Sequence, residues 1–352
     1  MGLQSVAHGE EEREYGTVRE FRVSRGGLAQ ERDMKVLLTG ASSFTGMWFA
    51  RELARAGHTV VATFQQRPEE YTDALRKNRV ALALEACEGV FSCSFGDAKF
   101  LDLAGREGWD LFCHHSAHTT NYKSEDFELA AALESNTRNI TAVLDTLVKG
   151  GCSRVLLTGS VFENDEGAGS EGLPAFSRYG LSKSFTYQAF RYHAVRAGLA
   201  LGKFVIPNAF GPYEELRFTA YLMKTWFAGQ TAAVNTPAYV RDNIHVSLLA
   251  ANYAKFAGEL GTRPGFSRIN PSGYPESQGA FALRFASEMR PRLNLPCDVE
   301  LKQQVDFQEP RVRINTDLSD GLALGWDETR AWDEVANYYE GLFRSTKSAG
   351  RK

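Results

Sequence analysis

Two side chains four residues apart, Tyr179 and Lys183 in YGLSK, are suited to proton transfer at a carbon–oxygen bond. A phenol works as a general acid or base when its pKa lies near the working pH, and an ammonium held beside it favours the phenolate. This is the one Tyr-x-x-x-Lys spacing in the chain. Upstream, VLLTGSVFE ends an apolar run on Thr158, with Ser160 two residues on. Earlier still, KVLLTGASSFTGMWFARELARAGHTVVA (35–62) passes from an apolar run through small residues into a helical pattern. Gly40 and Gly46 suit a phosphate-binding turn: the first for a tight bend, the second for close helix–strand packing. Ser43 stands where the middle glycine of such a turn is expected, and its hydroxyl could donate to a phosphate.

Chemistry at these positions needs elements that hold them together. Short apolar runs at Val36–Thr39, Thr59–Phe64, Val90–Phe95, Asp110–His114, Arg154–Thr158 and Leu201–Ile206 read as strands. Helical patterns at Thr45–Ala56, Asn136–Lys149 and Ser177–Ala197 lie between them, which predicts parallel βαβ units. The fold class expected is α/β, a Rossmann-type doubly wound parallel sheet. Within SRYGLSKSFTYQAFRYHAVRAG, Ser177 is the expected N-cap and Gly198 the stop, so Tyr179 and Lys183 share one helix face. Thr158 falls at the carboxyl end of its strand, where open α/β sheets bind ligands.

From Pro207 onward the rhythm breaks into segments punctuated by Pro and Gly, among them NAFGPY, NTPAY and NPSGYP. The expected organisation is a tail over 1–33, a dinucleotide-binding domain over 34–206 with returning elements near 235–260, and a smaller α/β substrate lobe over 207–352. The polar tail is either native or a start-site artefact, since Met34 directly precedes the first strand.

Composition narrows the function classes. Net charge is -3 over 352 residues, with Lys and Arg scattered, which argues against nucleic acid or an anionic membrane as partner. No apolar run reaches the roughly 18 residues that span a bilayer. Five cysteines at wide spacings, with no CxxC, fit reduced thiols and a cytoplasmic location. FCHHSAH clusters Cys113, His114, His115 and His118, but strand alternation splits them between two faces and no second ligand cluster exists. No metal is expected.

Taken in order, further motifs join these. TGASSFTG is followed by HSA at 115–117, Asn136, TGSVFE, YGLSK, IPNAFGP at 206–212, RDNIHV at 241–246 and DLSDGLALGW at 317–326. From about residue 34 to 330 the chain resembles the extended short-chain dehydrogenase/reductase superfamily of NAD(P)-dependent nucleotide-sugar epimerases, dehydratases and reductases. The resemblance implies that Tyr179 is the acid/base and that Lys183 holds the cofactor ribose while lowering the Tyr179 pKa. It implies that Thr158 orients the sugar oxygen, with Ser160 a rival for that role. Gly40, Ser43, Phe44, Gly46, Asp97, Ser116, Ala117 and Asn136 would line the cofactor. Asn208 and Arg241 would meet the substrate diphosphate, joined by Arg311 or Arg313. A homodimer is implied too, with FTYQAFRY (185–192) packing in the fold or at a two-helix interface.

The second strand decides the cofactor. It ends in VVATFQQRPEE, with Phe64 and Gln65 where a ribose-binding acid would stand and Arg67 able to pair a 2′-phosphate. NADP is favoured, with NAD as the alternative. Thr158-Gly159-Ser160 lacks the acids of the Thr-Asp-Glu dehydratases, which disfavours that elimination. Reduction of a keto-sugar is slightly preferred over epimerisation through a transient ketone. A non-enzymatic NADP sensor is the reading from another class, and retention of both Tyr179 and Lys183 speaks against it.

Overall fold

The computed structural model describes residues 33–106, 108–169 and 172–349, with side chains described to Arg344. The expected tail lies outside the described residues but for Asp33. The chain opens β1(Lys35–Thr39), α1(Phe44–Arg55), β2(Thr59–Thr63), α2(Ala74–Leu84), β3(Glu88–Val90), α3(Ala98–Ala104) and β4(Leu111–His114). It continues with α4(Leu129–Thr137), α5(Ile140–Lys149), β5(Arg154–Ser160), α6(Arg178–Ala197), β6(Ala200–Ile206) and β7(Asn208–Phe210). Then come α7(Phe218–Phe227), β8(Ala232–Val234), β9(Val240–His245), α8(Val246–Glu259), β10(Gly265–Ile269), β11(Pro271–Ser272) and β12(Tyr274–Ser277). The last elements are α9(Gln278–Leu293), β13(Val299–Leu301), β14(Val312–Arg313), β15(Asp317–Leu318) and α10(Glu328–Ala349).

Seven strands form one sheet in the order β10-β6-β5-β4-β1-β2-β3, every pairing parallel. This is the doubly wound α/β fold that the sequence predicts. Strand order reverses at β1, so a crevice opens between the carboxyl ends of β1 and β4, the position where such sheets bind ligands. The strands are apolar on both faces because both are covered. One core joins Val36, Leu38, Phe49, Cys113, Leu156 and Tyr253 on the side of α1 and α8. A second joins Leu37, Phe112, Leu144, Val155 and Phe190 on the side of α3, α5 and α6. A third, with Phe210, Trp226, Phe285 and Trp332, holds α7, α9 and α10 together. Beside the large sheet, β9 pairs with β7, β12 and β14.

Two expected elements lie differently. The third strand is Glu88–Val90 rather than Val90–Phe95, because Ser92 takes a positive φ of 49° that no strand tolerates. The helix expected over Asn136–Lys149 is two helices, broken at Asn139, where φ is 51° and the side-chain amide donates to the Gly96 carbonyl at 2.8 Å.

Candidate active site

The turn after β1 is built by close approach. Gly40 has a φ of 81°, and a Cβ there would stand 2.8 Å from the Ser116 nitrogen. A Cβ on Gly46 would lie 2.2 Å from the Gly40 carbonyl oxygen. Ser43 caps α1: its Oγ accepts from the Gly46 amide at 3.1 Å, donates to the Gly40 carbonyl at 2.9 Å and meets His115 Nε2 at 3.0 Å. Its hydroxyl hydrogen therefore closes the turn rather than facing a phosphate as the sequence suggested. The first-turn amides of Phe44 and Thr45 have no carbonyl one turn earlier in the helix to bond to, so an anion can meet them. This fits a dinucleotide's pyrophosphate. The Phe44 ring itself is buried beneath the Arg79 guanidinium, 5.8 Å away.

The end of β4 is tied to that turn. Thr39 Oγ1 accepts from the His115 and Ser116 amides at 3.1 and 3.0 Å, which sets Ser116 and Ala117 beside Gly40. Asn136, buried on α4, accepts from the His118 amide at 2.8 Å and donates to Thr186 on α6 at 3.2 Å. It fixes the β4 loop against the catalytic helix. Asp97 caps α3, with one oxygen on the Phe100 amide at 2.7 Å and the other on the Ser94 amide at 2.8 Å. At the end of β2, Phe64 is buried against Phe91, while Gln65 and Arg67 are exposed.

Helix α6 starts as expected: Ser177 accepts from the Gly180 amide, and Gly198 ends the helix at a φ of 71°. Lys183 is buried, and its Nζ donates to the Thr158 carbonyl at 2.7 Å. Burial lowers its pKa to about 8 against the opposing pull of Glu163. Tyr179 stands edge-on to Tyr122 at 5.5 Å and Phe127 at 6.1 Å. Its phenol is pushed above its ordinary range, first by burial and then by the Glu163 carboxylate, although part of the side chain reaches solvent. The sequence predicted a pKa lowered by Lys183; here the ammonium turns to the Thr158 carbonyl and the phenol stays neutral. The Thr158 hydroxyl, 3% exposed, lies 3.1 Å from His115 Nδ1. Ser160 is more open, its hydroxyl accepting from the Phe162 amide at 3.2 Å.

The expected substrate cations are differently committed. Arg241 on β9 donates to the Val240, Pro310 and Arg311 carbonyls and pairs with Glu309 at 2.9 Å, its guanidinium over the Tyr239 ring. Arg313 is 2% exposed and donates to the Pro174 and Glu163 carbonyls, so it ties the segment after β5 to β14 rather than facing a ligand. Asn208 opens β7 and is partly exposed.

Sequence reasoning passed over three residues. The sequence places His115 in the HSA segment and weighs it against a metal role but gives its ring no part, yet the ring joins the β1 turn to Thr158. Lys203, buried on β6, lies 2.6 Å from both Glu163 Oε2 and Glu166 Oε1. Glu163 also accepts from the Ser160 amide at 2.8 Å. A lysine inside the apolar strand LGKFVI was the signal, since such a charge persists only when paired. Elsewhere, a groove of about 1090 Å³ is lined by Trp48, Arg51, Trp326 and Arg330 and by none of Tyr179, Lys183 or Thr158.

Residues 36–256 match the model of the NAD dependent epimerase/dehydratase family. No curated protein sequence matches the chain. Among solved structures, a tyrosine-to-phenylalanine mutant of UDP-glucuronic acid 4-epimerase from Bacillus cereus, in complex with UDP-4-deoxy-4-fluoro-glucuronic acid and NAD, aligns with a TM-score of 0.68 at 15% identity. That alignment covers 88% of this chain and 100% of the other. A UDP-glucose 4-epimerase from Stenotrophomonas maltophila, with bound NAD and formylated UDP-arabinopyranose, aligns with a TM-score of 0.65 at 18% identity, over 89% and 99% of the two chains. A dTDP-glucose 4,6-dehydratase from Streptomyces venezuelae, with NAD bound, gives 0.63 at 18% identity, over 88% and 97%. At these identities the likeness is one of fold.

Proposed function

The chain belongs to the NAD dependent epimerase/dehydratase family, and from that premise we propose that it oxidises or reduces one carbon of a nucleotide-linked sugar, with Tyr179 as acid/base. The observation that carries this reading is the placing of Tyr179 and Lys183 on one face of α6, with Lys183 bonded to the end of β5 beside the β1 turn. When bound, a nicotinamide dinucleotide supplies or takes up the hydride. Lys183 and the first turn of α1 orient it, and Thr158 and Ser160 offer hydroxyls to the sugar. Tyr179 moves the proton. A neutral phenol can donate to a keto oxygen in reduction, and its phenolate can take the hydroxyl proton in oxidation. Epimerisation through a transient ketone is the second reading, favoured by the epimerases among the fold neighbours.

Two finer points belong to the same proposal. With Phe64 and Gln65 rather than an acid directly after β2, and Arg67 exposed beyond them, NADP(H) is the tighter cofactor. The protein works as a homodimer through α6, with the segment from 207 onward holding the sugar nucleotide. The test is Tyr179→Phe, which keeps the ring against Tyr122 and Phe127. Turnover of nucleotide sugars should fall by roughly 10²–10⁴-fold, the usual contribution of a positioned proton donor, while NADPH still binds. Near-normal turnover in that variant would sink the reading.

A further inference from the structure

His115 meets three hydroxyls at once, and the partners of Ser43 point to one ring tautomer. Nε2 meets Ser43 Oγ at 3.0 Å and Thr45 Oγ1 at 3.1 Å; Nδ1 meets Thr158 Oγ1 at 3.1 Å. The single hydrogen on Ser43 Oγ goes to the Gly40 carbonyl. Ser43 can therefore only accept from the ring, so Nε2 carries the proton. In a neutral imidazole Nδ1 is then an acceptor, and the Thr158 hydroxyl must donate to it. Burial keeps the ring neutral, with a pKa lowered to about 3, and the Lys183 charge acts the same way. The Phe49 ring stands edge-on to the imidazole at 5.0 Å.

We propose that His115 is a positioning residue that turns the Thr158 hydrogen away from the substrate, leaving Thr158 only a lone pair for the sugar and making the site selective for a hydroxyl over a keto group there. The proposal rests on the nucleotide-sugar reading above. A sugar hydroxyl can donate to Thr158 while accepting from the Tyr179 phenol; a ketone can only accept, and leaves the Thr158 lone pair unmatched. His115 also links this choice to the turn that meets the cofactor, through Ser43 and Thr45.

The ring state is measured on the full chain without ligand, by nitrogen-15 NMR of labelled histidine. His115 should show a protonated Nε2 and a bare Nδ1 from pH 6 to 8; a protonated Nδ1, or titration in that range, overturns the proposal. Selectivity is read with UDP-glucose and its 4-keto counterpart as probes, each bound in the presence of the same oxidised cofactor. Wild type should favour the alcohol by about three- to tenfold, the usual span for one hydrogen bond. His115→Phe should bring the ratio near one. His115→Asn, whose amide oxygen stands close to where Nδ1 stood, should restore it. An unchanged ratio in His115→Phe overturns the proposal. Failure of the nucleotide-sugar reading would appear instead as wild type binding neither probe, while the tautomer would still decide the hydrogen-bond polarity.

Discussion

At the residue scale the chemistry of the site turns on how Tyr179 and Lys183 are buried beside the Glu163 carboxylate. Tyr179, Lys183 and Thr158 were legible in the sequence because their spacing is local and their strand and helix are regular. The direction of the Tyr179 shift was not legible, since it comes first from burial of the phenol and then from Glu163, a carboxylate paired with Lys203 from another strand. Glu163 raises the pKa of both Tyr179 and Lys183. Glu163→Gln should therefore lower both, so the alkaline fall in turnover, expected near pH 8 from Lys183 losing its proton, should begin at lower pH. A pH–rate profile with an unmoved alkaline limb would refute this. The stability effect of Lys183 has its own sign. Between pH 8 and 10.5 its unfolded form holds the proton more than the folded form, so its burial penalty is full below pH 8 and relieved as pH rises. Loss of Glu163 should cost less than the roughly 3–5 kcal/mol of a stripped buried pair, because Lys203 keeps Glu166 at 2.6 Å.

At the element scale α6 does two jobs with two faces. Lys183, Thr186, Phe190 and Ala194 are buried, and this inner face carries the chemistry. Phe185, Tyr192 and Val195 are exposed, Val195 by 73%. The aromatic run FTYQAFRY is thus packing on one side only, and its mean periodicity could not say which rings stay outside. Apolar side chains this exposed on one long helix suit a self-complementary contact. Tyr192→Glu combined with Val195→Glu should leave the fold intact and yield a monomer in sedimentation equilibrium where wild type is a dimer; a monomeric wild type would end the homodimer proposal. The misplaced third strand and the split at Asn139 have a common origin. Each turns on a non-glycine residue at positive φ, Ser92 and Asn139, a backbone state invisible to local propensity.

At the scale of the whole molecule the parallel sheet was legible because apolar runs alternate with helices along the first two hundred residues. The seventh strand, β10, was not, since Gly265–Ile269 reads as an exposed edge and reaches the sheet only by pairing with β6. A bound dinucleotide would lie across the carboxyl ends of β1, β2 and β4, and so would hold together the half of the sheet on either side of the switch point. A ligand that binds only the folded chain stabilises it by about 2.7 kcal/mol at one hundred times its Kd, and by about 1.4 kcal/mol more for each tenfold gain in affinity. Cofactor preference should therefore appear as a difference in melting temperature. At equal concentration NADPH should raise the Tm above that with NADH by roughly 1–3 °C for each tenfold difference in Kd, the smaller shift expected of a large chain. Arg67→Ala should remove most of the NADPH advantage, since one charged hydrogen bond contributes roughly 1.5–3 kcal/mol, and should leave the NADH shift nearly unchanged. An equal or larger shift with NADH in wild type would show that the end of β2 does not select the 2′-phosphate, and the cofactor would then be NAD.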